Sequence, residues 1–140
     1  MKEFKLGKIY QGQLKKGNDI AQGLTKFLKD NKIKAGIIKG IGAVESAKLG
    51  YFNQQTKEYE ERYFNENMEI VSLTGNISLK NDEPFPHLHA VFSKKDFSLV
   101  GGHLLSDTLV YAFEFEIVAF EGQPHIREFD QVIGLFIWND

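Results

Sequence analysis

The run from Thr108 to Phe120 limits the fold more than any other stretch of this chain. It holds neither glycine nor proline, and from Phe113 through Glu114, Phe115 and Glu116 to Ile117 apolar and charged residues alternate. A period of two marks a β-strand, whose successive side chains leave opposite faces. Leu109, Tyr111, Phe113, Phe115 and Ile117 are therefore expected on one face, and Val110, Ala112, Glu114, Glu116 and Val118 on the other. A face carrying two glutamates is either open to solvent or polar for a chemical reason.

Other segments read as partners for that strand. Phe4 to Gln13 alternates loosely. Ile33 to Ile41 and Ala43 to Phe52 read as two strands separated by Gly40-Ile41-Gly42, where glycines suit a bend or bulge better than a phosphate cradle. Asn53 to Lys57 reads as a turn leading to a strand from Tyr59 to Phe64, and Met68 to Asn76 is a further strand. Asn81-Asp82-Glu83-Pro84 reads as a polar loop, Lys94-Lys95-Asp96 as a turn, and Val132 to Trp138 as the strand that closes the sheet. One segment has helical spacing: Ile20, Leu24, Phe27 and Leu28 share a face, preceded by Asn18 or Asp19 as cap and ending near Asn31-Lys32. The pattern predicts a single α+β domain over residues 1–140. Its sheet is antiparallel or mixed, with about seven or more strands and one main helix.

Composition narrows the chemistry. The 140 residues contain no cysteine, so disulfides and thiolate metal sites are excluded. No apolar run approaches the roughly 20 residues of a membrane-spanning helix, and no apolar leader follows Met1, which points to a cytoplasmic chain. The net charge of -2 hides an asymmetry: residues 1–48 hold 11 lysines against 4 acids, while the remainder holds 6 basic residues against 15 acids. A basic half can face a polyanion, with Lys15, Lys16, Lys26 and Lys29 as phosphate contacts, or can simply be a solvated helix face. Only two arginines occur, Arg62 and Arg127, which is poor material for reading base edges.

Three of the four histidines lie in Pro86-His87-Leu88-His89 and Gly101-Gly102-His103. On a strand, His87 and His89 share a face about 6.5–7 Å apart, and both can reach one metal at about 2.0–2.1 Å. His103, on the next strand, supplies a third ligand, and the two glycines let backbone approach closely. Three imidazoles leave an open coordination position. Zinc suits all-histidine ligation, with nickel, copper and iron compatible; the alternative is a pair of histidines capping hydrogen bonds at a sheet edge. Metal affinity should fall as pH drops through the imidazole range. Glu69 and Glu114 are candidates to orient a histidine or act as a base, or else belong to a solvated face. His125 reads as a surface histidine, and Arg127 with Asp130 as a loop ion pair worth at most about 1 kcal/mol.

Several separated motifs resemble the plants-and-prokaryotes-conserved (PPC) domain family: Gly17-Asn18-Asp19-Ile20, Gly36 to Val44, Met68 to Asn76, His87-Leu88-His89 and Gly101-Gly102-His103-Leu104. The resemblance implies a compact α+β domain that assembles as a homotrimer, of the stand-alone prokaryotic type. It implies zinc binding through His87, His89 and His103, and acidic positions at Glu69 and Glu114. Plant relatives carry the domain beside AT-hooks and act as nuclear DNA-associated regulators. The Arg-Gly-Arg-Pro core of an AT-hook is missing here.

Three functions are compatible with these residues. The first is a non-catalytic metal-binding homotrimer, a regulatory, ligand-binding or DNA-associated module with DNA or a protein as partner. The second is a metal-dependent three-histidine enzyme acting on a small molecule, with Glu69 or Glu114 as base. The third is nucleic-acid binding through the lysines of the N-terminal half.

Overall fold

The computed structural model describes residues 1–139. Nine strands and one helix follow in the order β1 (Lys5–Leu14), α1 (Ile20–Asp30), β2 (Gly36–Asn53), β3 (Glu58–Phe64), β4 (Met68–Lys80), β5 (Glu83–Ser93), β6 (Leu99–Leu104), β7 (Leu109–Glu121), β8 (Ile126–Asp130) and β9 (Leu135–Trp138). The expected α+β class with a many-stranded sheet and one helix is what the chain adopts. The sheet is mixed: eight ladders are antiparallel, and β4 with β8 is parallel.

Strand β2 organises the sheet. The sequence pattern divides it at Gly40-Ile41-Gly42, but it is one strand of 18 residues. The glycines form the bulge that the sequence suggests: the register with β4 shifts between Gly40 and Gly42. Gly42 has φ 142°, and a Cβ there would meet the Ala112 carbonyl oxygen at 2.1 Å, so only glycine fits. The first half of β2 pairs with β4 and β7, and the second half with β3 and β6. Because β5 joins β4 to β6, the strands β2, β4, β5 and β6 close into a ring.

The helix closes one side of the core. Asp19 caps it by accepting from Gln22 N at 2.8 Å, and its other carboxylate oxygen accepts from Asp107 N at 2.6 Å and Thr108 N at 3.2 Å. One side chain thus ties the helix start to the start of β7. Ile20, Leu24 and Leu28 are fully buried. Phe27 is only partly buried and packs edge-on against Tyr10 and Phe115. The core they enter includes Leu88, Ala90 and Phe92 from β5 and Phe113, Phe115 and Ile117 from β7. Removing a buried phenylalanine such as Phe92 would cost about 3–5 kcal/mol.

Four sequence expectations are corrected here. The two-face assignment of β7 fails at Tyr111, where Val110 is buried and both Tyr111 and Ala112 are exposed. A register shift against β2 at this point flips the face, so Val110 joins Phe113 in the core. The loop at residues 81–84 is a tight turn of Asn81 and Asp82, both with positive φ, and Glu83 and Pro84 already belong to β5. Arg127 and Asp130 do not form a loop ion pair: both lie on β8, Arg127 is buried, and Asp130 accepts from Val132 N and Ile133 N. The closing strand is shorter than Val132–Trp138 and forms a hairpin with β8.

Candidate metal centre

The two-residue turn at Asn81 and Asp82 fixes the register of β4 on β5, placing Asn76 opposite His87 and Thr74 opposite His89. On β5, Leu88 turns inward and is buried, so its neighbours His87 and His89 project from the other face. Across the next ladder His89 is the direct partner of His103. Behind His103, a Cβ on Gly102 would lie 2.8 Å from the Gly50 carbonyl oxygen. The glycine thus allows β6 and β2 to approach closely, and β2 pairs Gly50 with His103 itself.

The three rings converge. Centroid separations are 5.1 Å for His87–His89, 5.0 Å for His87–His103 and 5.4 Å for His89–His103. One nitrogen from each lies within 4.8 Å of those of the other two. Two nitrogens that each bind an ion at about 2.0–2.1 Å are at most about 4.2 Å apart, so the three rings would draw slightly inward to close on one ion. The donor set fits a borderline transition metal, and one atom lacks any other use: His103 Nδ1 is buried with no hydrogen-bond partner. Buried polar atoms usually find a partner in protein, water or a bound ion; Ser46 Oγ, away from the histidines, is the other buried side-chain atom without one among the described residues.

Electrostatics keep two rings neutral. Burial pushes His87 down to about 4, helped by the Arg127 guanidinium and then by His103 and His89. His103 also falls to about 4, through burial first and then His89 and Arg127. Neutral imidazole is the metal-binding form.

Arg127 is the neighbour that sequence reading missed. Its Nη2 lies 2.8 Å from Asn76 Oδ1 and 3.2 Å from His87 Nδ1. Its Nε donates to Ser78 Oγ at 2.8 Å and its Nη1 to the Phe136 carbonyl at 3.1 Å. A guanidinium only donates, so His87 Nδ1 accepts. Tyr59 stands beside the cluster, its ring 5.4 Å from that of His103. Burial raises its phenol above the usual range, with Arg127 opposing. Neither residue was visible as part of the site, because their approach depends on β8 docking against β4 and on β3 folding over β2.

The other candidates lie apart. Glu69 pairs with Ser93, five positions along β4 from Thr74, which is roughly 16 Å from the histidine rows. Glu114 is on β7, which pairs with β1 and β2 and not with the histidine strands. With Glu116 it lines a separate cleft of about 940 Å³ formed by β1, β2, β4 and β7. Lys16, Lys26 and Lys29 form ion pairs with Glu45, Asp30 and Glu83, and Lys15 is exposed. His125 stacks on Trp138 with centroids 4.0 Å apart.

Fold and site define a small mixed-sheet protein with a convergent three-histidine cluster on one face. The chain belongs to the Plants and Prokaryotes Conserved (PCC) domain family, whose signature matches residues 1–123. A metal-containing protein from Archaeoglobus fulgidus is 39% identical, with a TM-score of 0.95 and complete coverage of both chains. A Bacteroides thetaiotaomicron protein named as a candidate DNA-binding protein is 33% identical, with a TM-score of 0.87 over 97% of this chain and 96% of that one. The bifunctional protein GlmU of Synechococcus sp. is 28% identical over 105 residues, 74% of this chain but only 16% of that protein. Among the described residues, no helix is long and apolar enough to cross a membrane.

Proposed function

We propose that this chain is a single-domain metal-binding assembly module, in which His87, His89 and His103 hold one divalent transition ion, zinc first among them, and three copies associate. The observation that carries the reading is the convergence of three imidazoles, one of which, His103, has its Nδ1 buried without a hydrogen-bond partner. The metal content of the A. fulgidus relative supports it. An ion held by three imidazoles would supply a Lewis-acidic position open to one further ligand. Glu69 pairs with Ser93 and Glu114 lies on β7, which favours the non-catalytic reading over an enzyme that uses either as base. Assembly is supported by aliphatic side chains left exposed on the ring strands, Ile41, Val71, Val91 and Leu99. The absence of cysteine suits work in the reducing cytoplasm. Native mass spectrometry with metal analysis tests both halves: the expected result is a trimer with one zinc per chain. A metal-free monomer at micromolar concentration would sink the proposal.

DNA association has the B. thetaiotaomicron relative in its favour. It would require Lys16, Lys26 and Lys29 to exchange Glu45, Asp30 and Glu83 for phosphates. Such binding must weaken steeply with salt. Duplex affinity undetectable at low ionic strength removes this reading.

A further inference from the structure

The histidine cluster contains a cation, Arg127, with no counter-charge against it among the described residues. Arg127 is 8% exposed. Its acceptors are a hydroxyl, a backbone carbonyl, an amide and an imidazole, all neutral. Phe85 and Trp138 flank its guanidinium carbon at 5.5 and 5.7 Å and bring no charge. Among the described residues no carboxylate is hydrogen-bonded or ion-paired to it. A buried cation without an anion is costly, and an ion at the histidines would add positive charge in the same place.

Chemistry of the imidazole sharpens the point. A neutral imidazole has one lone pair, and in His87 it is given to Arg127. An ion bound by His87 needs that lone pair, whichever nitrogen carries it. Loading the ion therefore leaves an Arg127 N–H without an acceptor, beside an open coordination position.

We propose that the histidine cluster and Arg127 form one composite site for a small carboxylate, shared between the ion and the guanidinium. This names the ligand class of the metal site proposed above and rests on that reading. A carboxylate matches the planar donor fork of arginine and supplies the missing negative charge. Tyr59 flanks His103, ring to ring at 5.4 Å, and its phenol feels the Arg127 charge. Arg127 lies outside the segment matched to the family, so the assignment depends on this chain's own residues.

The test uses the full chain loaded with cobalt(II), titrated with acetate and followed by visible absorption. The same titration on metal-free protein is followed by NMR of the arginine Nε–H signals. Two variants decide it. Arg127→Gln removes the rival for the His87 lone pair, so cobalt(II) should bind more tightly while acetate weakens about tenfold. Asn76→Asp keeps the acceptor at 2.8 Å but supplies an internal counter-charge, so acetate should again weaken about tenfold with the arginine still present. Acetate affinity unchanged in both variants overturns the proposal. So does a parallel loss of cobalt(II) and acetate in Arg127→Gln with wild-type acetate binding in Asn76→Asp, the signature of a purely structural arginine. If Arg127→Gln does not fold, Asn76→Asp alone decides. Inorganic phosphate binding at least about tenfold tighter than acetate overturns the carboxylate assignment. A wild type that takes up no cobalt(II) sinks the metal reading. The metal-free titration then decides for the anion, supporting it if Asn76→Asp loses acetate and overturning it if the wild type binds none.

Discussion

His89 and His103 face each other as direct partners across the β5–β6 ladder, their rings 5.4 Å apart and nearly perpendicular. One hairpin therefore supplies the whole histidine set, with His87 two residues along the same strand face. The site needs no distant loop to assemble its nitrogens, and its shape is held by backbone pairing.

His103→Ala removes the ring whose Nδ1 has no other partner. Zinc affinity should fall at least about 100-fold, since two imidazoles make a poor zinc site. Competition with a chromogenic chelator measures it, with circular dichroism as the check on the fold. Unaltered zinc affinity would remove His103 from the ligand set.

The metal-free protein should lose stability in acid over a defined window. His87 and His103 are held near 4 in the folded chain and return to about 6.5 on unfolding. Between these values the unfolded chain binds more protons, so stability falls as pH drops from about 6.5 to about 4, and these two groups add no further loss below that. Metal release by acid should likewise track the lower value for these rings. Urea melts at pH 7, 5.5 and 4 read the first effect; a midpoint that rises toward acid contradicts it.

Ser78→Ala leaves the Arg127 Nε–H buried without its acceptor. The expected loss is about 1–3 kcal/mol, read as a lower urea midpoint at constant slope. A stability equal to wild type would mean that another group replaces the hydroxyl.

Gly42→Ala places a methyl group 2.1 Å from the Ala112 carbonyl oxygen at a backbone angle that alanine avoids. A loss of at least about 2 kcal/mol is expected. Because the bulge lies in the half of β2 that pairs with β4 and β7, zinc stoichiometry of the folded fraction should stay unchanged. Loss of zinc without loss of stability would show that the ring transmits strain to the histidines.

Much of this was legible in the residues. The His87–His89 parity follows from strand period alone. The residues narrow the helix cap to Asn18 or Asp19, of which Asp19 serves. Helical spacing gives Ile20, Leu24 and Leu28 as the buried face, with Phe27 only partly buried. What escaped has a common cause. Tyr111 flips the face of β7 because a bulge adds one residue, which no alternation count detects. Arg127 looked like a loop residue because β8 is short and its pairing with β4 is parallel and remote in sequence. Glu114 resembled an acid beside a metal only until the strand order put β2 between it and the histidines.

The hairpin placement of the histidines has a consequence for the order of events during synthesis. Residues 87 to 103 can come together by closing one short loop, an inexpensive step in chain entropy. Arg127 reaches His87 only after β8 has been made and has docked beside β4. On the metal reading proposed above, a cation present while the chain emerges from the ribosome would meet the three imidazoles before their rival for the shared lone pair has been made. Loading during translation and loading of finished protein would then be different reactions, and the second alone would have to dislodge an arginine.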